Sequence, residues 1–212
     1  MYERCRALGQ KVRDAQLAQS VEAASLGSLG DAYESLGQYD KAIDHHTRSL
    51  AIEEEIGNRQ GVANSLGSLG NAYHGLGQYD KAIDHHTRSL AIAEEIGDRQ
   101  GVASSLGNLG STYVSLGQYD KAIDHHTRSH AIKEEIGDRQ GVANSLGSLG
   151  NAYVSLGQYE KAIDHHTRSL AIAEEIGDRQ GVASSLNSLG IAYESLGQYD
   201  KAIDHHTRSH AI

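Results

Sequence analysis

Asp44-His45-His46-Thr47-Arg48 sets a carboxylate beside two imidazoles, the side chains from which metal-dependent hydrolases draw their ligands and general bases. The same five residues return at 84, 124, 164 and 204. Whether they can act together depends on the element that carries them. On a strand-to-loop edge, with further metal ligands nearby, such a motif suits phosphoester hydrolysis. On a helix, adjacent residues point about 100° apart and cannot face one ion.

The carrier is a helix. The stretch LGQYDKAIDHHTRS begins at Leu36, Leu76, Leu116 and Leu196, and at Leu156 with Glu160 in place of Asp, a 40-residue period that marks a stacked array. Within residues 59–97, Val62, Leu66, Leu69, Tyr73 and Leu76 recur at helical spacing, and so do Tyr79, Ile83, His86, Leu90 and Ala93. Each set predicts an amphipathic helix of roughly 17 residues with one stripe turned inward. Gly77-Gln78 is the only break between them, so the two helices must fold back as an antiparallel hairpin. Gly97 suits a left-handed C-cap, and Asp98 can cap the next first helix through its carboxylate. Gly67 and Gly70 each cost about 1 kcal/mol of helix propensity relative to alanine. They make sense where neighbouring backbones come close and the stack supplies the stability.

Leu66-x-x-Leu69-Gly70-x-x-Tyr73, then Ala82-x-x-x-His86, with Gly77-Gln-Tyr79 at the turn, resembles the tetratricopeptide repeat. The 40-residue length and the junction Glu94-Glu95-Ile96-Gly97-Asp98-Arg99 look like the long-repeat branch found in Pins/LGN-type spindle scaffolds and, more distantly, in kinesin light chains. Against that pattern, leucine stands at Leu66 for the usual tryptophan, histidine at His86 for an aromatic, and no proline closes the unit. The resemblance covers about residues 21 to 212. It implies an all-α fold, a right-handed α-solenoid of antiparallel helix pairs whose first helices line a concave groove. Residues 1–20 lack a clean copy and predict a degenerate N-terminal capping helix; residues 21–212 predict five 40-residue hairpins. The last copy stops at Ile212, before the EEIG of the others. The last helix therefore reads as truncated, with further repeats or an effector domain expected beyond it.

On these helices His46, His86, His126, His166 and His206 fall on the inward stripe and are expected to be neutral, hydrogen-bonded core residues. His45, His85, His125, His165 and His205 fall outside it, as solvated surface. A helical zinc site uses i, i+4 ligands, and no doublet has such a partner. His130 and His210, which replace Leu50, Leu90 and Leu170, do create His126/His130 and His206/His210 pairs. Two ligands without a cysteine or a third histidine make no cage, so no metal site is assigned. Nor is there a nucleophile with its base or a phosphate-binding glycine loop. The chain reads as a non-enzyme with no catalytic residues and no cofactor.

Composition agrees. A formal charge of −9 and a hydrophobic fraction of 38% describe a soluble protein with a sizeable core, not a basic nucleic-acid binder. Thirteen histidines make that charge acid-sensitive. Cys5 stands alone, which excludes an internal disulfide framework and fits a reducing compartment. The opening MYERCRALGQ is not a secretory signal, and no run approaches the roughly 18 apolar residues of a membrane span. A cytoplasmic location is the default, with no membrane insertion.

Where the copies differ points to function. Residues 91–130 and 171–210 differ at five positions, all within eight residues of the first helix: Gly107/Asn187, Asn108/Ser188, Ser111/Ile191, Thr112/Ala192 and Val114/Glu194. Across the array, Asp31, Asn71, Ser111, Asn151 and Ile191 vary, as do Glu34, His74, Val114, Val154 and Glu194 three residues on. With Asn64, Ser104, Asn144 and Ser184 they form one stripe opposite the packing face. The resemblance implies that this stripe is the ligand surface. Drift after duplication is the bland alternative, but drift would equally touch the unvaried exposed side of the second helix. Asn64, Asn71, Asn108, Asn144, Asn151 and Asn187 each offer a donor and an acceptor for an extended backbone. Arg59, Arg99, Arg139 and Arg179 edge the groove, pairing either with acidic ligand side chains or with Glu55, Glu95, Glu135 and Glu175 four residues before them. The leading expectation is a protein-interaction scaffold that holds a partner peptide or helix in the groove. A regulatory or sensor module of a larger signalling protein is the second, and histidine-based metal or pH sensing the third.

Overall fold

The computed structural model describes residues 2–212, with side chains at Gln10 and from Arg13 onward. The described residues form helices joined by short turns, with no strand among them: α1 (Tyr2–Ser35), α2 (Tyr39–Ile56), α3 (Arg59–Gly75), α4 (Tyr79–Ile96), α5 (Arg99–Ser115), α6 (Tyr119–Glu135), α7 (Arg139–Ser155), α8 (Tyr159–Ile176), α9 (Arg179–Ser195) and α10 (Tyr199–His210). Contacts divide the chain into two units, Met1–Gly101 and Val102–Ile212. In the first, α1/α2 and α3/α4 pair as hairpins, α2 lies against α3, and α1 also touches α3. In the second, α7/α8 and α9/α10 pair likewise, α6 packs on α7, α8 on α9, and α7 touches α9. Each unit is thus an all-α solenoid segment of stacked helix pairs. Residues 2–20 continue the first helix of the first hairpin without a break.

The turns follow from their glycines. Gly77 adopts φ 72°, a left-handed conformation open to glycine at no steric cost, and the Gln78 N–H then donates to Tyr73 O at 2.9 Å. Gly97 closes α4 at φ 71°, and the Asp98 N–H donates to Ala93 O at 2.9 Å. Asp98 Oδ1 accepts from the Gly101 N–H at 2.9 Å, and Asn58 Oδ1 does the same for Gly61 at 3.2 Å. Both ends of the second helix are terminated as the sequence predicts.

Inside each hairpin the inward stripes meet. In the first unit Leu50, Val62, Ala63, Leu66, Leu69 and Ile92 form a core with Ile43 and Tyr73 against it. Leu66 is fully buried, and a leucine in such a place contributes about 2 kcal/mol. Serines of the second helices tie the pair together: Ser89 Oγ donates to Ala63 O at 2.8 Å and Ser169 Oγ to Ala143 O at 2.9 Å. The glycines behave differently from the expectation of close backbones at both positions. A Cβ on Gly70 would overlap the buried His86 imidazole, so what comes close there is a side chain. A Cβ on Gly67 would lie 3.6 Å from Ser89 Oγ, an ordinary contact.

Candidate functional site

Three clefts open beside the first helices. In the first unit a cleft of about 440 Å³ runs between α1, α2 and α3, with Asp31 and Asn64 on its walls and His46 and Glu53 on its floor. In the second unit a cleft of about 450 Å³ between α7, α8 and α9 is lined by Asn144, Asn151 and Ser184 above His166. A smaller one of about 250 Å³ gathers Ser104, Asn108, Ser111 and Asn144 around His126 and Lys133. Of the expected site residues, Asp31, Asn64, Ser104, Ser111, Asn144 and Asn151 are exposed on these walls, and Asn108 is half-buried there.

The others lie outside these three clefts. Asn71, Asn187, Ile191 and Glu194 are exposed, while Glu34, His74, Val114 and Val154 are half-buried. His74 packs against Tyr79, ring centroids 5.4 Å apart. Arg59, Arg99, Arg139 and Arg179 are all exposed. Arg59 pairs with Glu95 and Arg139 with Glu175, acids 36 residues ahead rather than the glutamates four residues before. The helix ends bring the next second helix alongside, so the longer sequence separation is the shorter distance. Arg179 instead donates to the Ile212 carbonyl at 2.7 Å.

Of the inward histidines, His46, His86, His126 and His166 are buried as expected and burial lowers the basicity of each, whereas His206 is half-buried. His86 is pushed down to about 4 by desolvation first, then by His74 and His85; His126 to about 4 by desolvation, Lys133 and His125; His166 to about 4 by desolvation and His165. Their hydrogen bonding differs from the expectation. His86 Nδ1 and the Nε2 atoms of His46 and His166 have no partner among the described residues. Each ring is seated against a glycine of the first helix: Gly30 for His46, Gly70 for His86 and Gly150 for His166.

The outer histidines are not solvated surface either. His45 stacks on Tyr33 and His85 on Tyr73, centroids 5.2 Å apart, half-buried beneath the tyrosine rings. Lys41 and Lys81 cover the same tyrosines at 5.1 Å, so both of these hairpins carry a Lys–Tyr–His stack; in the copy with Tyr113 and His125 the two rings are tilted by 46° instead. His130 Nε2 lies 3.4 Å from Glu134 Oε1 and is engaged by the acid one turn ahead of it on α6.

Two features escape a reading of one helix at a time. The first is Asp31, Glu34 and His46, from α1 and α2, whose ligand atoms lie within 4.8 Å of one another. Burial and the neighbouring Asp31 raise the Glu34 carboxyl, and burial lowers the His46 imidazole against the pull of Asp31. The second is the cleft floor itself. Glu53 and Lys133 occupy one repeat position, with Ala93 and Ala173 in the other copies. That variation on the second helix was the available signal. Glu53 is buried with Oε2 unpartnered, and Lys133 donates to Ser145 Oγ at 3.1 Å.

The tetratricopeptide-repeat profile matches residues 21–95, 61–135, 101–175 and 141–212. The chain belongs to the tetratricopeptide-repeat family. Repeats of this family generally mediate protein–protein interaction and serve as scaffolds rather than catalysts. Among solved structures, this tetratricopeptide-repeat chain is similar to BtubC (BKLC) from P. vanneervenii at 21% identity and TM-score 0.83, covering 99% of this chain and 85% of that one. A Podosopora anserina putative kinesin light chain with nearly identical repeats matches at 21% and 0.76, over 91% and 94% of the two chains. A Rap protein complexed with competence and sporulation factor matches at 20% and 0.77, over 89% of this chain and 53% of that one. These likenesses show the fold. No curated protein sequence matches the chain. No helix among the described residues is long and apolar enough to cross a membrane.

Proposed function

We propose that this tetratricopeptide-repeat array is a protein-interaction scaffold that grips an extended peptide or a helix of a partner in the groove lined by its first helices. One observation carries the reading: Asn and Ser side chains of the variable stripe stand on the walls of clefts in both units. Such amides hydrogen-bond a peptide backbone without demanding one sequence, and many modest contacts on a preformed surface add up to useful affinity. The floors then supply preference. Asp31 and Glu53 suit the first unit's cleft to a basic side chain, and Lys133 suits the smaller cleft of the second unit to an acidic one. Asn71, His74, Val114, Val154, Asn187, Ile191 and Glu194 extend the same surface beyond the clefts.

The repeat length and the Glu-Glu-Ile-Gly junction favour the long-repeat branch resembling Pins/LGN-type scaffolds, with residues 1–20 as a capping segment before five hairpins. A cytoplasmic site of action belongs to the same reading, since the lone Cys5 suits a reducing compartment. A second reading, a regulatory module of a larger signalling protein, draws on the Rap structure, which is complexed with a factor and of which the matched array is about half.

The test is selection of binders from a displayed random peptide library. Asn144→Ala with Asn151→Ala is expected to weaken the selected peptides about tenfold or more, as loss of a central cluster does. Glu53→Lys should reverse a preference for basic residues in those that use the first unit. Peptides that bind both variants as they bind the parent would refute the groove.

A further inference from the structure

We propose that Asp31, Glu34 and His46 form a binding site for one divalent transition-metal ion, of which zinc is the reference case. Asp31 and Glu34 stand one turn apart on α1, and His46 faces them from α2, its Nε2 3.7 Å from Asp31 Oδ1 and 4.0 Å from Glu34 Oε2. Those separations are too long for hydrogen bonds. They are close to what a shared ion requires, since zinc–ligand bonds of 2.0–2.2 Å set neighbouring donor atoms of a tetrahedron about 3.3–3.6 Å apart. All three donor atoms lie within 4.8 Å of one another, and rotation of the two carboxylate side chains, Asp31 being exposed, would draw them onto one ion.

His46 supplies the second, independent observation. It is 1% exposed, and its Nε2 is shielded from solvent and has no hydrogen-bond partner among the described residues. An orphaned buried nitrogen aimed at two carboxylates calls for a physical explanation, and a cation between them is one. The ring is also held in place: it rests against Gly30, where a Cβ would overlap it. A ligand fixed by packing loses little freedom on binding an ion. Among the described residues, no lysine or arginine forms an ion pair with Asp31 or Glu34.

The repeats provide an internal control. His46 has an equivalent in every copy, but the two residues above it do not. The equivalent positions hold Asn71 and His74 in the copy with His86, Ser111 and Val114 in that with His126, Asn151 and Val154 in that with His166, and Ile191 and Glu194 in that with His206. Both acids occur together only in the first hairpin. One imidazole nitrogen with two carboxylate oxygens is a borderline donor set, suited to zinc, manganese or ferrous iron rather than to thiophilic ions. Asp31 is 70% exposed and lines the cleft, so the remaining coordination positions open to water or to a donor group of a bound molecule.

The experiment is calorimetric titration of the full chain with zinc chloride, backed by the visible absorption of cobalt substituted into the site. One equivalent is expected to bind. Asp31→Asn and Glu34→Gln should each weaken it by about tenfold or more, since even partners outside the ligand shell carry that much. Both substitutions lie away from the core, so unchanged circular dichroism will separate lost ligation from lost fold. Asn71→Asp with His74→Glu should build a second site over His86 and raise the stoichiometry from one to two. The proposal falls if the parent binds no zinc, or if Asp31→Asn with Glu34→Gln binds it as the parent does, which would place the ion elsewhere. Failure here leaves the peptide groove untouched, because the groove test uses no metal.

Discussion

Gly70 and His86 are two halves of one fitting: the missing Cβ on α3 is the seat of the imidazole on α4, and the pair recurs as Gly110 with His126 and Gly150 with His166. Gly70→Ala is therefore expected to lower the urea midpoint, because overpacking a buried ring costs about 1–3 kcal/mol and outweighs the ~1 kcal/mol gained in helix propensity. Gly67→Ala, with room for its methyl, should raise the midpoint, adding up to about 1 kcal/mol of stability. The chain already carries Asn187 at the equivalent position. The same burial sets a pH dependence. His86, His126 and His166 titrate near 4 in the fold, against about 6.5 in an unfolded chain. Between those values the unfolded state binds more protons. Stability is complete above pH 6.5 and is lost as pH falls toward 4, by about 1.4 kcal/mol per pH unit for each histidine. A melting temperature flat from pH 7.5 to 5 would contradict this. Spacing alone placed these histidines inward. It did not reveal the glycine seats, because the seat and the ring lie on different helices.

At the level of the helix, ends were more legible than faces. Asn58, Asp98, Asp138 and Asp178 each cap the following helix through a side-chain oxygen, as the Gly-Asn and Gly-Asp junctions predict. Capping is local, so sequence suffices to read it. Asn58→Ala should cost about 1 kcal/mol and lower the melting temperature, measured by circular dichroism, while Asn58→Asp should restore it. The same Asp98 also accepts from Gln60 Nε2 at 2.9 Å, and Gln140 reaches Asp178 in the same way, ties between hairpins that no single helix discloses. The exposed Arg59–Glu95 pair joins α3 to α4 within one hairpin and should contribute little: Arg59→Ala is expected to change stability, read from urea unfolding, by less than about 1 kcal/mol.

Within each unit the helices pack mainly on their sequence neighbours, so stability should behave as a sum of hairpin and neighbour contributions. Gly150→Ala is expected to speed amide hydrogen exchange most in α7 and α8, less in α6 and α9, and least in α10, which packs on α9. Uniform loss of protection would instead indicate a single cooperative block. The sequence by itself determined the period, the antiparallel pairing, the caps and the inward stripe, because each rests on helical periodicity or on contacts a few residues apart. Of the variable stripe it marked, Asp31, Asn64, Ser104, Ser111, Asn144 and Asn151 stand on cleft walls, while Asn71, Ile191 and Glu194 lie outside the clefts. Tertiary structure alone decided which partner each side chain meets: that Arg59 finds Glu95, that Glu53 and Lys133 form cleft floors, and that Asp31 and Glu34 stand over His46. These depend on how far one rod slides and turns against the next, a quantity set by side-chain packing across hairpins and carried by no single stretch of chain.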